Sequence, residues 1–154
     1  MPTHIVHLAD EAATTALGHQ LAALARPGDV IALHGTLGMG KSTLARAFIR
    51  ALTDLAEEVP SPTFTLVQMY EGKSGDLWHF DLYRLDKPED AFELGIEDAF
   101  ADGISLIEWP DRLGRLMPRE RLEIHLHPGH KTTSRTAELI SHGQWDDRLK
   151  DMNI

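Results

Sequence analysis

The stretch from Val30 to Leu52, VIALHGTLGMGKSTLARAFIRAL, constrains the fold of this chain more than any other. A short apolar strand, Val30 to His34, runs into a glycine-rich turn, and an amphipathic helix follows. The turn matches G-x-x-x-x-G-K-[ST] through Gly35, Gly40, Lys41 and Ser42, with Leu37, Gly38 and Met39 inside it. Backbone N–H groups converge on a phosphate only where glycines permit φ > 0 and carry no side chain to block the approach. Gly35, Gly38 and Gly40 supply that freedom. Lys41 brings a point charge toward the β and γ phosphates, the Ser42 hydroxyl suits Mg²⁺, and the helix N-terminus adds partial positive charge. A glycine-rich turn before a helix is common without any ligand. Here a strand precedes and a helix follows, the context that singles out a nucleoside triphosphate site.

The flanking segments supply the rest of an α/β pattern. THIVHL (Thr3 to Leu8) alternates as a first strand, Asp10 suits a helix N-cap, and Ala13, Leu17, Leu21 and Leu24 share one helical face up to Pro27 and Gly28. Beyond the loop, Leu44, Phe48 and Leu52, broadened by Ala45, Ala47 and Ile49, mark a buried helix reaching about Leu55. Pro60 and Pro62 hold the next segment extended. Thr63 to Tyr70 and Leu77 to Leu85 alternate on either side of EGKSGD, as in an antiparallel hairpin. Lys87 and Pro88 open a helical stretch that Gly95 interrupts. Ile104 to Ile107 is a compact apolar run, read as a buried parallel strand ending in Glu108. Arg121 to Leu126 and Thr136 to Ile140 are later strands, and the tail DDRLKDMNI is helical or frayed. The expected fold is a single α/β P-loop NTPase-like domain over residues 1–154, frayed over 143–154. Its sheet is mixed but mostly parallel, with an antiparallel hairpin and helices on both faces.

Composition narrows the partners. A length of 154 residues fits one domain, and no internal linker divides it. Cysteine is absent, which excludes disulfides and thiolate metal sites and is compatible with a reducing cytoplasm. No basic leader or membrane-length apolar run stands out, so the expected location is cytoplasmic, away from membranes. The formal net charge is −9, with 24 acidic residues against 15 basic ones. Proteins that grip nucleic acid through its phosphates present a basic face, so this balance argues against tight direct binding.

Three further residues carry the candidate chemistry. A phosphate loop needs a metal-organising acid at the end of a neighbouring buried strand, and Glu108 stands at such a place, unless it merely caps the strand. Thr63 sits on a proline-braced segment that could fold over a γ-phosphate, or could simply start a strand. Alternation in LWHFDLYRL groups His79, Asp81, Tyr83 and Leu85 on one face, opposite Trp78, Phe80, Leu82 and Arg84. Asp81 there is either solvated, paired near Arg84, or turned toward a metal to orient water. His125, His127 and His130 form H-x-H-x-x-H, but without cysteine or an acid at ligand spacing they read as exposed histidines rather than a zinc site. Trp78, Trp109 and Trp145 read as packing residues.

Five blocks, GTLGMGKST, SPTFTLV, HFDLYRL, ELGIED and LIEWPDRL, occur in the order and spacing of the bacterial TsaE family, also called YjeE-type ATPases. The chain resembles that family from about Leu8 to Leu126. The resemblance implies a P-loop ATPase, weakly active alone, using ATP and Mg²⁺. It implies work with TsaB and TsaD in threonylcarbamoyladenosine modification of tRNA, with tRNA met only through the complex. It assigns phosphate and Mg²⁺ contacts to Lys41 and Ser42, a phosphate contact to Thr43, a switch-like loop to Thr63, a required acid to Asp81, and a metal ligand to Glu108 beside Trp109. Glu11 and Arg135 would flank the base. Met39 and Ser42 stand where alanine and threonine are usual; serine retains the hydroxyl. A small-molecule kinase with Arg112, Arg115, Arg119 and Arg121 as lid, and a nucleotide-gated scaffold, are competing readings. A GTPase is disfavoured because N-K-x-D is absent, Asn153 being the only asparagine.

Overall fold

A computed structural model describes residues 3–36 and 38–152. Seven strands, β1 (Thr3–Leu8), β2 (Val30–His34), β3 (Val67–Gly72), β4 (Gly75–Asp81), β5 (Ile104–Glu108), β6 (Arg121–Pro128) and β7 (Arg135–His142), form one sheet ordered β1-β7-β6-β2-β5-β4-β3. The four central strands, β6, β2, β5 and β4, run parallel. The margins are antiparallel: β3 pairs β4 in the expected hairpin, and β7 joins β6 to β1. The α/β class and the parallel core with its antiparallel hairpin agree with the sequence pattern.

Helices α1 (Glu11–Leu24) and α2 (Lys41–Leu52) lie together on one face. Asp10 caps α1, its Oδ1 accepting the Ala13 N–H at 2.9 Å. Such a cap is worth about 1 kcal/mol. The predicted stripe of α2 is buried as read: Leu44, Ala45, Ala47, Phe48, Ile49 and Leu52 all lie in the interior. They meet Leu17 and Leu21 of α1, Ile31 and Leu33 of β2, and Leu122, Ile124 and Leu126 of β6. Gly18 sets how close the two helices come, because a Cβ there would stand 2.8 Å from the Ala47 Cβ.

The opposite face is covered over β4, β5 and β2 by 3₁₀ segments Pro88–Leu94 and Pro110–Leu116 and by α3 (Ile96–Asp102), around Phe80, Leu82, Ile96, Ile107 and Leu113. Along β6 and β7, this face carries half-exposed polar side chains instead, among them Arg121, Glu123, His125 and His142. Burial opposes ionisation of Glu123, but hydrogen bonds with His125 and His142 and the Arg121 charge outweigh it and hold its carboxyl below the ordinary range.

Several expected boundaries move: α2 stops at Leu52 rather than near Leu55, and β7 extends beyond Thr136 and Ile140 to Arg135–His142. The segment read as a strand from Thr63 forms turns until Leu66, and β3 begins only at Val67. Leu66 has φ 67°, and its N–H is bonded to the Pro62 carbonyl, so the chain is curled by local bonds where alternation alone suggested extension. Likewise β4 ends at Asp81, and Leu82 and Leu85 both enter one apolar cluster rather than opposite faces. At the C-terminus, residues 145–150 form helix α4 (Trp145–Lys150), with Trp145 and Leu149 packed in the main core and Arg148 paired with Asp29.

If α4 is part of the core, Trp145→Ala will cost about 3–5 kcal/mol in urea unfolding. A loss below about 1 kcal/mol would match an undocked tail instead.

Candidate functional site

The glycine loop connects the end of β2 to the first turn of α2; Leu37, expected within it, lies outside the described residues. Gly40, the N-cap of α2, has φ 96° and ψ 11°, a left-handed conformation that costs a non-glycine residue about 1–2 kcal/mol. It offers no side chain to cap the helix, so the first-turn N–H groups are left for an external acceptor. A Cβ on Gly35 would come within 3.2 Å of the Leu126 carbonyl, so β6 itself demands glycine there. Met39 packs against the main core rather than facing the site. From β7, Arg135 donates through Nη2 to the Gly38 carbonyl at 3.0 Å and holds the loop from outside.

Strand register brings the acids to this loop. Leu33 pairs with Glu108, and Glu108 pairs with Asp81, so the carboxyl ends of β2, β5 and β4 are level. Alternation then turns Asp81, His79 and Glu108 to the face that carries α2. Both acids are 6 % exposed. Asp81 accepts from the Thr63 hydroxyl at 3.2 Å through Oδ2 and from the Tyr83 N–H at 3.1 Å through Oδ1. Thr63 also shares a 2.7 Å hydrogen bond with Ser61. The turn segment is thereby tied to the end of β4. Glu108 Oε2 lies 2.8 Å from His79 Nε2 within the buried layer.

Lys41 is buried at the start of α2, its Nζ 4.2 Å from the centre of the Trp109 ring. Burial pushes its pKa below the ordinary lysine value, against the opposing pull of Glu108 and Asp81. Trp109 reaches this position through a left-handed backbone, φ 57° and ψ 51°, immediately after β5. Positive φ in a bulky non-glycine residue is strained, and such strain concentrates at functional sites. Tyr83 supports the indole, with ring centres 4.9 Å apart.

Lys41, Trp109, Thr63, Asp81 and Glu108 line one cavity of about 680 Å³, with His79 and Tyr83 behind its wall. Of the residues expected from sequence, Gly38, Gly40, Lys41, Ser42, Thr43, Thr63, Asp81, Glu108, Glu11 and Arg135 border it; Gly35 and Met39 do not. Glu11, at the start of α1, and Arg135 lie on its wall beside Asp10, Thr132 and Thr133. An uncapped helix start, a buried lysine, a hydroxyl and two carboxylates can together hold a polyphosphate with a hard divalent cation. Two contributors escaped the sequence reading. His79 was placed on the Asp81 face by alternation, which was the available signal, but its bond to Glu108 depends on the pairing of β4 with β5. Ser61 lay hidden between two prolines.

His79→Ala leaves a buried Glu108 oxygen without its partner and will cost about 1–3 kcal/mol in urea unfolding. His79→Gln, which keeps an N–H donor, will recover part of that loss.

Comparison with known proteins gives one consistent answer. The family model described as threonylcarbamoyl adenosine biosynthesis protein TsaE matches residues 8–137. A Rickettsia conorii protein named tRNA threonylcarbamoyladenosine biosynthesis protein TsaE is 33% identical over 159 residues, covering 96% of this chain and 90% of its own. Its namesake in Bacillus subtilis is 38% identical over 112 residues, covering 72% of this chain and 69% of its own. The crystal structure of Bacillus subtilis YdiB superimposes with a TM-score of 0.79 at 27% identity, covering 97% of this chain and 93% of that one. The order of motif blocks, the sheet and these matches agree, and the chain belongs to the TsaE family.

Proposed function

We propose that this chain, acting as one domain in the cytoplasm, binds and hydrolyses ATP as an accessory subunit for threonylcarbamoyladenosine modification of tRNA, together with TsaB and TsaD. The observation that carries the reading is the convergence of an uncapped P-loop helix, Lys41, Thr63, Asp81 and Glu108 on one cavity in a TsaE family member.

The α2 N-terminus and Lys41 bind the phosphates, and Thr43 adds a hydroxyl. Ser42 and Glu108 would hold Mg²⁺, for which an all-oxygen donor set is suited. Bound there, Mg²⁺ neutralises charge on the phosphate oxygens. Asp81, fixed by Thr63 and the Tyr83 N–H, orients the attacking water. Its bond to Thr63 links the Ser61–Leu66 turn to that acid, so the turn reports the state of the site. Glu11 and Arg135 flank the base, and Trp109 shields Lys41 from water. A net charge of −9 supports RNA contact through the partners rather than through this chain.

A kinase lid finds less support. None of Arg112, Arg115, Arg119 and Arg121 borders the cavity, Arg121 being bonded to Glu123 and to the Pro118 carbonyl. A scaffold without essential hydrolysis would not need two buried carboxylates at the loop.

ATP will quench or shift Trp109 fluorescence, and Lys41→Ala will abolish the change. Asp81→Ala and Glu108→Ala will lower turnover about a hundredfold or more while ATP binding falls far less. Turnover will rise when a TsaB–TsaD complex is added, and tRNA nucleoside analysis will show the modification only with this chain present. ADP release that instead depends on a small hydroxylated or phosphorylated acceptor would replace this reading with a kinase.

A further inference from the structure

On the sheet face away from α1 and α2, the end of β2 meets β6 in a cluster that the nucleotide site does not use. His34 pairs with His125 across the parallel strands, and their imidazoles stack with centres 4.1 Å apart and planes 5° from parallel. Glu123, two residues before His125 on the same face, aims Oε1 at both rings: 3.1 Å to His125 Nε2 and 3.7 Å to His34 Nε2. Its other oxygen is taken, at 2.9 Å by Arg121 Nη2 and at 2.6 Å by His142 Nε2. One carboxylate oxygen and one nitrogen from each histidine lie within 4.8 Å of one another. Ligand atoms around a tetrahedral zinc ion stand roughly 3.3 Å apart, given metal–ligand distances of about 2.0–2.2 Å, so the two carboxylate–imidazole separations are near that size, and the stacked rings must splay for both to hold the ion in their planes.

We propose that His34, Glu123 and His125 form a site for a divalent transition-metal ion of the zinc class, distinct from the Mg²⁺ position beside Ser42. The His₂Glu donor set suits zinc, and imidazole ligands disfavour magnesium. Arg121 and His142 hold the carboxylate so that Oε1 is the oxygen presented, the positioning that outer partners give a metal ligand. Asp111 Oδ1 lies 3.9 Å from His34 Nδ1, beyond hydrogen-bond distance, and adds only negative charge near that ring. A fourth position opens to a cavity of about 350 Å³ that both histidines line and that shares Lys41 and Trp109 with the nucleotide cavity. His34 directly precedes Gly35, so the metal ties β2 to β6 at the base of the phosphate loop. Glu123 and His125 share β6, His34 is brought to them by the pairing of β2 with β6, and neither His127 nor His130 takes part.

The test is zinc titration by calorimetry into the chelator-treated, nucleotide-free chain, in excess magnesium so that the oxygen-rich Ser42 and Glu108 position does not compete. One zinc per chain is expected. Glu123→Gln and His125→Ala will each weaken it at least about tenfold, and His130→Ala will leave it unchanged. Circular dichroism checks that each variant is folded. Independently of any variant, X-ray absorption of the zinc-loaded wild-type chain must report two imidazole ligands. Absence of stoichiometric zinc, equal binding by the folded Glu123→Gln and His125→Ala chains, or an absorption spectrum without two imidazoles would overturn the site.

Discussion

Everything at the functional site depends on the parallel pairing of β2 with β5 and of β5 with β4. That pairing sets Leu33, Glu108 and Asp81 level at the carboxyl ends of three strands. A slip of one residue along β5 would turn Glu108 to the other face and bring Ile107 to the phosphate loop. The register is held by burial. Ile104 and Leu106 enter the core beneath α2 while Ile107 enters the second core on the far side, so a shifted strand would send each to the wrong core and carry Glu108 away from His79.

Placing Lys41, His79, Asp81 and Glu108 below about a tenth exposure is costly unless each finds a partner. The partners divide into two kinds. Asp81 and Glu108 are held from within the fold, by Thr63, the Tyr83 N–H and His79. Among the described residues Lys41 lies against an aromatic face with no hydrogen-bonded carboxylate, and the α2 N-terminus has no side-chain cap. The acids are therefore bonded within the fold while the positive groups remain available to an anion. That is the arrangement expected where a polyphosphate completes the electrostatics of a site.

The sheet also has two unlike halves. Under α1 and α2 its surface is mainly apolar, broken by His79, Asp81 and Glu108 at the phosphate loop and by Ser141 on β7, whereas the reverse face is apolar only beneath the 3₁₀ segments and α3. Along β6 and β7 that reverse face carries alternating polar residues, as an antiparallel margin with one open side should. Glu123, His125 and His142 collect there because β7 folds back beside β6, and His34 joins them from the last position of β2. The two polar centres thus lie on opposite faces of the sheet, with the phosphate loop between them.

The sequence by itself determined the local units. The glycine spacing, the proline and N-cap signals and the apolar periods were enough to place β2, the loop, α1 and β5 nearly to the residue and α2 to within a turn, because each carries its signal within a few positions. It also marked Glu108, Asp81 and Thr63 by residue type. Only the tertiary structure decided what these residues touch. Thr63 reaches Asp81 across eighteen positions, His79 reaches Glu108 across twenty-nine, and His34 meets Glu123 and His125 from a different strand. Strand order links segments far apart in the chain, and burial of both sheet faces, not spacing, selects it. For the same reason alternation misses where β4 stops and the turn before β3 curls: beside the local Leu66–Pro62 bond, the Thr63–Asp81 and Leu66–Asp81 bonds that shape them join segments that meet only when β3 pairs with β4.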